Sequence, residues 1–170
     1  MRIGFFIILL LIIAGCNNPF APALTKESQT VTAIVTQQHS PVDVLTNFRY
    51  AYAFKDSLIY SDLLDSTFIF VSKNYGTNPP TDLIWGRDED IKTTIGLFRH
   101  FDFLDLIWGS IIYYNFSLDS TQSEIKVTFQ LTFNGGTDIP TLKGEALFNF
   151  QKKVSGRWTI IRWEDLSSFN

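Results

Sequence analysis

From Ser40 to His100 the apolar positions recur mainly every three or four residues; beyond His100 they recur every second residue. Val44, Leu45, Phe48, Ala51 and Tyr52 make one stripe of a first helix. Its start is signalled by Ser40 as a capping hydroxyl, Pro41 at the first helical position and Asp43 near the positive end of the helix dipole. Asp56 or Ser57 can cap a second, shorter helix through Leu58, Ile59, Leu63 and Leu64, and TFIFV at 67–71 has the β-branched and aromatic content of a strand. KNYGTNPPTDLIWG, 73–86, has two glycines and a Pro-Pro pair and reads as a loop. A third helix is expected to begin at Arg87 to Asp90, with acids Asp88, Glu89 and Asp90 in its first turn and a stripe of Ile91, Ile95 and Phe98.

The later part reads as four strands: FLDLIWGSIIYYNF (103–116), EIKVTFQLTF (124–133), TLKGEALFNFQ (141–151) and RWTIIRW (157–163). Turn material at Asn134-Gly135-Gly136 and Ser155-Gly156 separates them, so an antiparallel meander is expected. Gly109, in the middle of the first, suggests a bulge that bends the strand. In the second, Ile125, Val127, Phe129, Leu131 and Phe133 share one face and Lys126, Thr128, Gln130 and Thr132 the other, so one side is buried. The expected class is α+β, with three N-terminal helices packed on a strongly curved antiparallel sheet.

Three stretches in this order, VLTNFRYAYAFKDSLIYSDLLDSTFIFV, WGRDEDI and GEALFNFQKKVSGRWTIIRWED, resemble the nuclear-transport-factor-2-like superfamily. That cone-shaped fold includes ketosteroid isomerases, scytalone dehydratase and polyketide-cyclase-like proteins. The resemblance covers most of residues 41–166 and implies a cone whose mouth opens to an apolar pocket.

The other end of the chain changes the picture. IGFFIILLLIIA, residues 3–14, carries no charge, follows Met1-Arg2, ends in the small residue Ala14 and precedes Gly15-Cys16. It is too short for the roughly 20 apolar residues of a membrane span but suits a signal peptide. Ile13-Ala14-Gly15-Cys16 resembles the lipobox of bacterial lipoproteins, which implies lipid attachment at Cys16 and loss of residues 1–15. Two or more acyl chains would hold the protein stably at a bacterial envelope membrane. Residues 16–39, rich in Asn, Pro, Thr and Gln, are expected to form the lipidated cysteine and a flexible tether, and 40–170 the domain; Val31 to Val35 is a candidate edge strand.

Removing the first 15 of 170 residues leaves 155, enough for one domain with a substantial core. Loss of Arg2 moves the net charge from −3 to −4, and no basic cluster exceeds Lys152-Lys153, which argues against nucleic acid as a partner. An acylated Cys16 leaves no thiol, and two histidines do not supply the usual zinc or iron sets, so neither metal nor cofactor is expected. Without disulfides the core must come from apolar side chains, and sixteen Phe, six Tyr and four Trp can provide it.

Phe129, Phe148, Phe150, Trp158 and Ile160 alternate as an inner sheet face. With Trp85 and Tyr113 at its edge, the candidate ligand pocket is Trp85, Tyr113, Phe129, Phe148 and Trp158, although aromatics at strand spacing read more readily as plain core. Catalysis has weak candidates in His100, Asp102 and Asp105, although His100 at a helix end also suits the dipole. Arg87 to Asp90 reads as a solvated helix start. Leu147, Ile161 and Trp163 interrupt a polar outer face and are a candidate homodimer face, unless the tail Leu166 to Phe169 folds over them. The leading expectation is a membrane-anchored envelope lipoprotein that binds a small apolar ligand or a partner protein without catalysis. The alternatives are a dehydratase- or isomerase-like enzyme with a cavity acid/base, and a purely structural dimerisation module.

Overall fold

The computed structural model describes residues 35–134 and 141–167. The signal segment, Cys16, most of the proposed tether, the Gly135-Gly136 turn and the end of the C-terminal tail lie outside the described residues. Among the described residues no helix is long and apolar enough to cross a membrane.

Helix α1 spans Pro41–Phe54 and α2 spans Ser57–Leu63. Ser40 closes a capping box on α1, its hydroxyl accepting from Asp43 N at 3.1 Å and the Asp43 carboxylate accepting from Ser40 N at 3.0 Å. Asp56 caps α2 by accepting from the backbone of Leu58 and Ile59. The stripe Val44, Leu45, Phe48, Ala51, Tyr52 is buried as its spacing implies.

Strand β1 (Leu64–Asn74) follows α2 directly and forms a hairpin with β2 (Thr81–Gly86), pairing Asn74 with Thr81 and Phe70 with Trp85. The expected loop is therefore a strand in its second half: the turn signals are confined to 75–80, and Trp85 gains a stacking partner in Phe70 at 4.3 Å. Helix α3 (Arg87–His100) comes only after this hairpin, so the three helices do not precede the sheet but enclose its first two strands. Strands β3 (Leu104–Phe116), β4 (Gln122–Phe133), β5 (Leu142–Lys152) and β6 (Trp158–Asp165) form the expected meander. The six-stranded order is β2-β1-β6-β5-β4-β3, and β1 runs parallel to β6, so the sheet is mixed rather than wholly antiparallel.

Bulges set which side chains face the helices. In β3 two extra residues lie between Trp108 and Tyr113 relative to β4. Gly109 occupies this irregularity because a Cβ there would lie 2.3 Å from Thr128 Oγ1, which accepts from Ser110 N. Two extra residues leave the alternation unchanged, so Leu106, Trp108 and Tyr114 face the core and Tyr113 faces away. In β6 Ile160 pairs with Phe150 and Arg162 with Asn149, which makes Ile161 one extra residue and reverses the alternation. Trp163 therefore joins Trp158 and Ile160 on the helix side.

Helix α1 packs on β3 and β6, α3 packs on β1 and β2, and α2 touches both helices. The core between them is aromatic: Phe48 meets Tyr52, Tyr60, Trp108, Phe148 and Trp163 at 5.1–5.7 Å. The end of the expected tether is folded too. Asn47, fully buried, accepts from Thr36 N at 2.7 Å and donates to Thr36 O at 3.0 Å, while Gln38 O accepts from Trp158 N at 2.8 Å. These bonds give residues 36–38 partners that a solvated linker lacks, so the domain begins before Ser40.

Candidate functional site

A cavity of about 500 Å³, open on one side, lies between α3 and the β1–β2–β6 side of the sheet. Its walls include Tyr52 of α1, Phe70 of β1, Trp85 of β2, Trp163 of β6, and Asp90, Thr94 and Leu97 of α3. The size falls within the range of small-molecule sites, and apolar walls with a few converging polar groups are their usual make-up. A second space of about 30 Å³ is lined by Phe48, Leu106, Trp108 and Phe129 and shares Tyr52 and Trp163 with the first. Among the described residues aromatic side chains thus fill most of the interior, and the larger space lies beside α3.

Asp90 is the polar centre of this wall. It is only 3 % exposed; its Oδ2 accepts from the Tyr60 hydroxyl at 2.5 Å and its Oδ1 from Trp85 Nε1 at 2.9 Å. Burial raises its pKa above the ordinary carboxylate range, and the two hydrogen bonds only partly oppose the shift. Burial likewise raises the hydroxyls of Tyr52 and Tyr60, the negative charge of Asp90 adds to both, and the Thr94 hydroxyl works against it. Both tyrosines are therefore neutral hydrogen-bonding groups at neutral pH. Trp163 Nε1 is buried with no hydrogen-bond partner among the described residues, an unused donor in the same wall.

The expected site residues scatter. Trp85 lines the large cavity, Phe129 only the small one. Phe148 is fully buried in the core, and Trp158 lies beneath residues 38–41 beside a different surface hollow. Tyr113 is on the opposite sheet face, hydrogen-bonded to Glu124. His100 stands exposed at the cavity rim with its ring against Phe101 at 4.7 Å, while neither Asp102 nor Asp105 lines the cavity. Of the proposed dimer face, Leu147 and Ile161 are half-buried on the outer side, but the β6 bulge turns Trp163 inward, where it stacks on Phe148. Leu166 and Ser167 do not cover that face; they run on beside β5, with Leu166 N donating to Glu145 O at 2.9 Å. Among the described residues no three His, Cys, Asp or Glu side chains gather as a metal site would need.

Asp90 itself was missed as a site residue because three consecutive acids at a helix start match a solvated first turn. Asp88 and Glu89 are indeed exposed. The signal was periodic: Asp90, Thr94 and Phe98 are spaced by four and form the buried stripe of α3, with Ile91 and Leu97 flanking it and Ile95 turned further out.

No protein-family model and no curated protein sequence matches the chain. Solved structures do. A candidate scytalone dehydratase from Novosphingobium aromaticivorans superposes with a TM-score of 0.62 at 15 % identity, covering 85 % of this chain and 89 % of that one. A conserved protein from Planctomyces limnophilus gives 0.59 at 14 % identity over 80 % and 94 %. A nuclear-transport-factor-2-like protein of unknown function from Pseudomonas putida gives 0.59 at 7 % identity over 76 % and 84 %. The described domain has the nuclear-transport-factor-2-like fold. At these identities the likeness extends to architecture alone, and the activity has to be argued from the cavity.

Proposed function

We propose that the protein is a lipid-anchored envelope protein whose domain binds a small, largely apolar ligand in the cavity beside α3. The cavity carries this reading: it adjoins the aromatic core and combines apolar walls with Asp90, Thr94 and the unused Trp163 donor. The anchor rests on the order of apolar run, small residues and Cys16. The neutral fluorophore N-phenyl-1-naphthylamine tests the pocket. Its emission should rise saturably on binding, and Gly96→Phe, which projects into open space at the cavity, should remove the rise. Unchanged binding by that variant refutes the site. Palmitate labelling lost on Cys16→Ser tests the anchor.

A second reading is favoured by one observation, the raised pKa of a carboxyl in the cavity wall. An isomerase or dehydratase would use Asp90 as its acid/base, with Tyr60 and Trp85 as the groups that hold it in place. Turnover of a ring substrate that disappears in Asp90→Asn, while ligand binding survives, would establish it over simple binding.

A further inference from the structure

The charge of the cavity is one-sided. Asp90 is the sole carboxylate among its lining residues, and no lysine or arginine is among them. Among the described residues Asp90 takes part in no ion pair, and its two hydrogen-bond donors, Tyr60 and Trp85, are neutral. A neighbouring arginine, Arg87, is committed elsewhere, its guanidinium donating to the carbonyls of Leu64 and Ser61. Buried carboxylates are ordinarily matched by a cation. Here the matching position adjoins a corner of aromatic rings: Phe70 stacks on Trp85 at 4.3 Å and meets Trp163 at 81° and 4.8 Å, with Tyr52 and Phe101 also in the wall.

We propose that this cavity takes a small organic cation, an alkyl- or quaternary-ammonium compound, with its methyl groups against the rings and the Asp90 carboxylate as its counter-charge. The inference deepens, and rests on, the reading of the cavity as a ligand site. Ring faces attract a desolvated cation through their quadrupole, and a low-dielectric pocket strengthens the attraction to the carboxylate. An anionic ligand would face Asp90 with no lysine or arginine to offset it and only the exposed His100 imidazole at the rim. A neutral one would dry the carboxylate without neutralising it. A phosphocholine headgroup has the right ammonium but adds a phosphate for which no lysine or arginine lines the cavity, so the cation is a free solute rather than a lipid.

The test titrates the purified full chain, in detergent, with choline and with its uncharged isostere 3,3-dimethyl-1-butanol, read by tryptophan fluorescence and calorimetry. Choline is expected to bind at least about tenfold more tightly than the isostere. Asp90→Asn should weaken choline by about tenfold while leaving the neutral naphthylamine probe unaffected. Because Asp90 is also structural, Gly96→Lys is the second variant. It adds a cation at the cavity where a side chain has room, and it should repel choline while Gly96→Gln does not. Equal affinity for choline and the isostere, or probe binding without choline binding, overturns the cation and leaves the ligand site standing. Failure of all three compounds overturns both. Phosphatidylcholine vesicles that displace choline, where phosphatidylglycerol vesicles do not, overturn the free solute in favour of the headgroup.

Discussion

Replacing Tyr60 by Phe removes one oxygen from the centre of the protein and leaves everything else in place. The ring, fully buried, keeps its contacts with Phe48, Tyr52 and Phe98 at 5.3–6.1 Å, so little apolar contact is lost. What is lost is the 2.5 Å bond to Asp90 Oδ2, leaving Trp85 as the remaining donor to a carboxylate that is 3 % exposed. A hydrogen bond to a charged group contributes about 1.5–3 kcal/mol, and a buried acceptor left unpaired stands at the upper end of that range. We expect a loss of about 2–3 kcal/mol, seen in urea as a lower midpoint at unchanged slope and on heating as a Tm lower by about 6–12 °C. The same bond fixes a pH dependence. Burial makes the ionised form of Asp90 costlier in the folded than in the unfolded state. Wild-type stability therefore contains a component that is full below the ordinary carboxylate value of about 4 and is lost as pH rises towards the elevated folded value. Asp90→Asn should lack that component, and Tyr60→Phe, one donor poorer, should extend it to higher pH. A Tyr60→Phe protein within about 0.5 kcal/mol of wild type, or strict additivity with Asp90→Asn in a double-mutant cycle, would refute the reasoning.

Three further outcomes are expected. Gly109→Ala should cost about 1–3 kcal/mol by forcing a Cβ to within 2.3 Å of Thr128 Oγ1, and Thr128→Ala should recover most of it in denaturant titrations. Gly144→Ala would place its Cβ 2.7 Å from Ser167 Cβ and 3.1 Å from Phe129 Cε1, so it should destabilise the full chain by about 1–2 kcal/mol, and a chain ending at Leu166 should relieve the larger part of that cost and leave the contact with Phe129. Asp65, 5 % exposed, behaves oppositely to Asp90: burial would raise it, but bonds from Lys153, Thr67 and Thr159 together outweigh burial and hold it well below the ordinary range. Its contribution is present above about pH 4 and lost as pH falls towards the depressed folded value, so the stability gap between wild type and Asp65→Asn should close on acidification.

How much of this was legible in the sequence follows from what each signal depends on. The first two helices, the meander and the Gly109 bulge came from local patterns: a capping box, a stripe at helical spacing, strict alternation in β4 and a glycine within a strand. Their order implied an α+β class, and the nuclear-transport-factor-2-like fold came from the resemblance of three stretches to that superfamily. β2 was hidden because six residues at a sheet edge after Pro-Pro have too few alternations to outweigh the turn residues. Trp163 was placed on the wrong face because alternation was counted through Ile161, and a bulge in β6 is visible only from its pairing with β5. The cavity was illegible for a related reason. The inner sheet face was read correctly as apolar, but whether space remains over it depends on how the helices roof it. They cover Phe148 fully and leave the gap beside α3, while Trp158 is covered by residues 38–41.

Two faces of α3 then divide the work. Asp90, Thr94 and Phe98 face the core, where Asp90 joins α3 to α2 through Tyr60 and to β2 through Trp85. Thr93, Gly96, Leu97 and His100, spaced three, four and seven residues along the neighbouring stripe, line the same cavity from its open side, with only Leu97 half-buried and the others exposed. A change in the first set disturbs a latch between three elements as well as a cavity wall, so its effect on a ligand has to be read beside the neutral probe and a stability measurement. A change in the second set meets little packing, as the empty space around a Cβ at Gly96 illustrates. If the cavity binds a ligand as proposed, its preference can therefore be altered at 93, 96 and 100 at small cost in stability, whereas the carboxyl at 90 is fixed by the architecture. A cavity built this way keeps one fixed carboxyl group and an adjustable mouth.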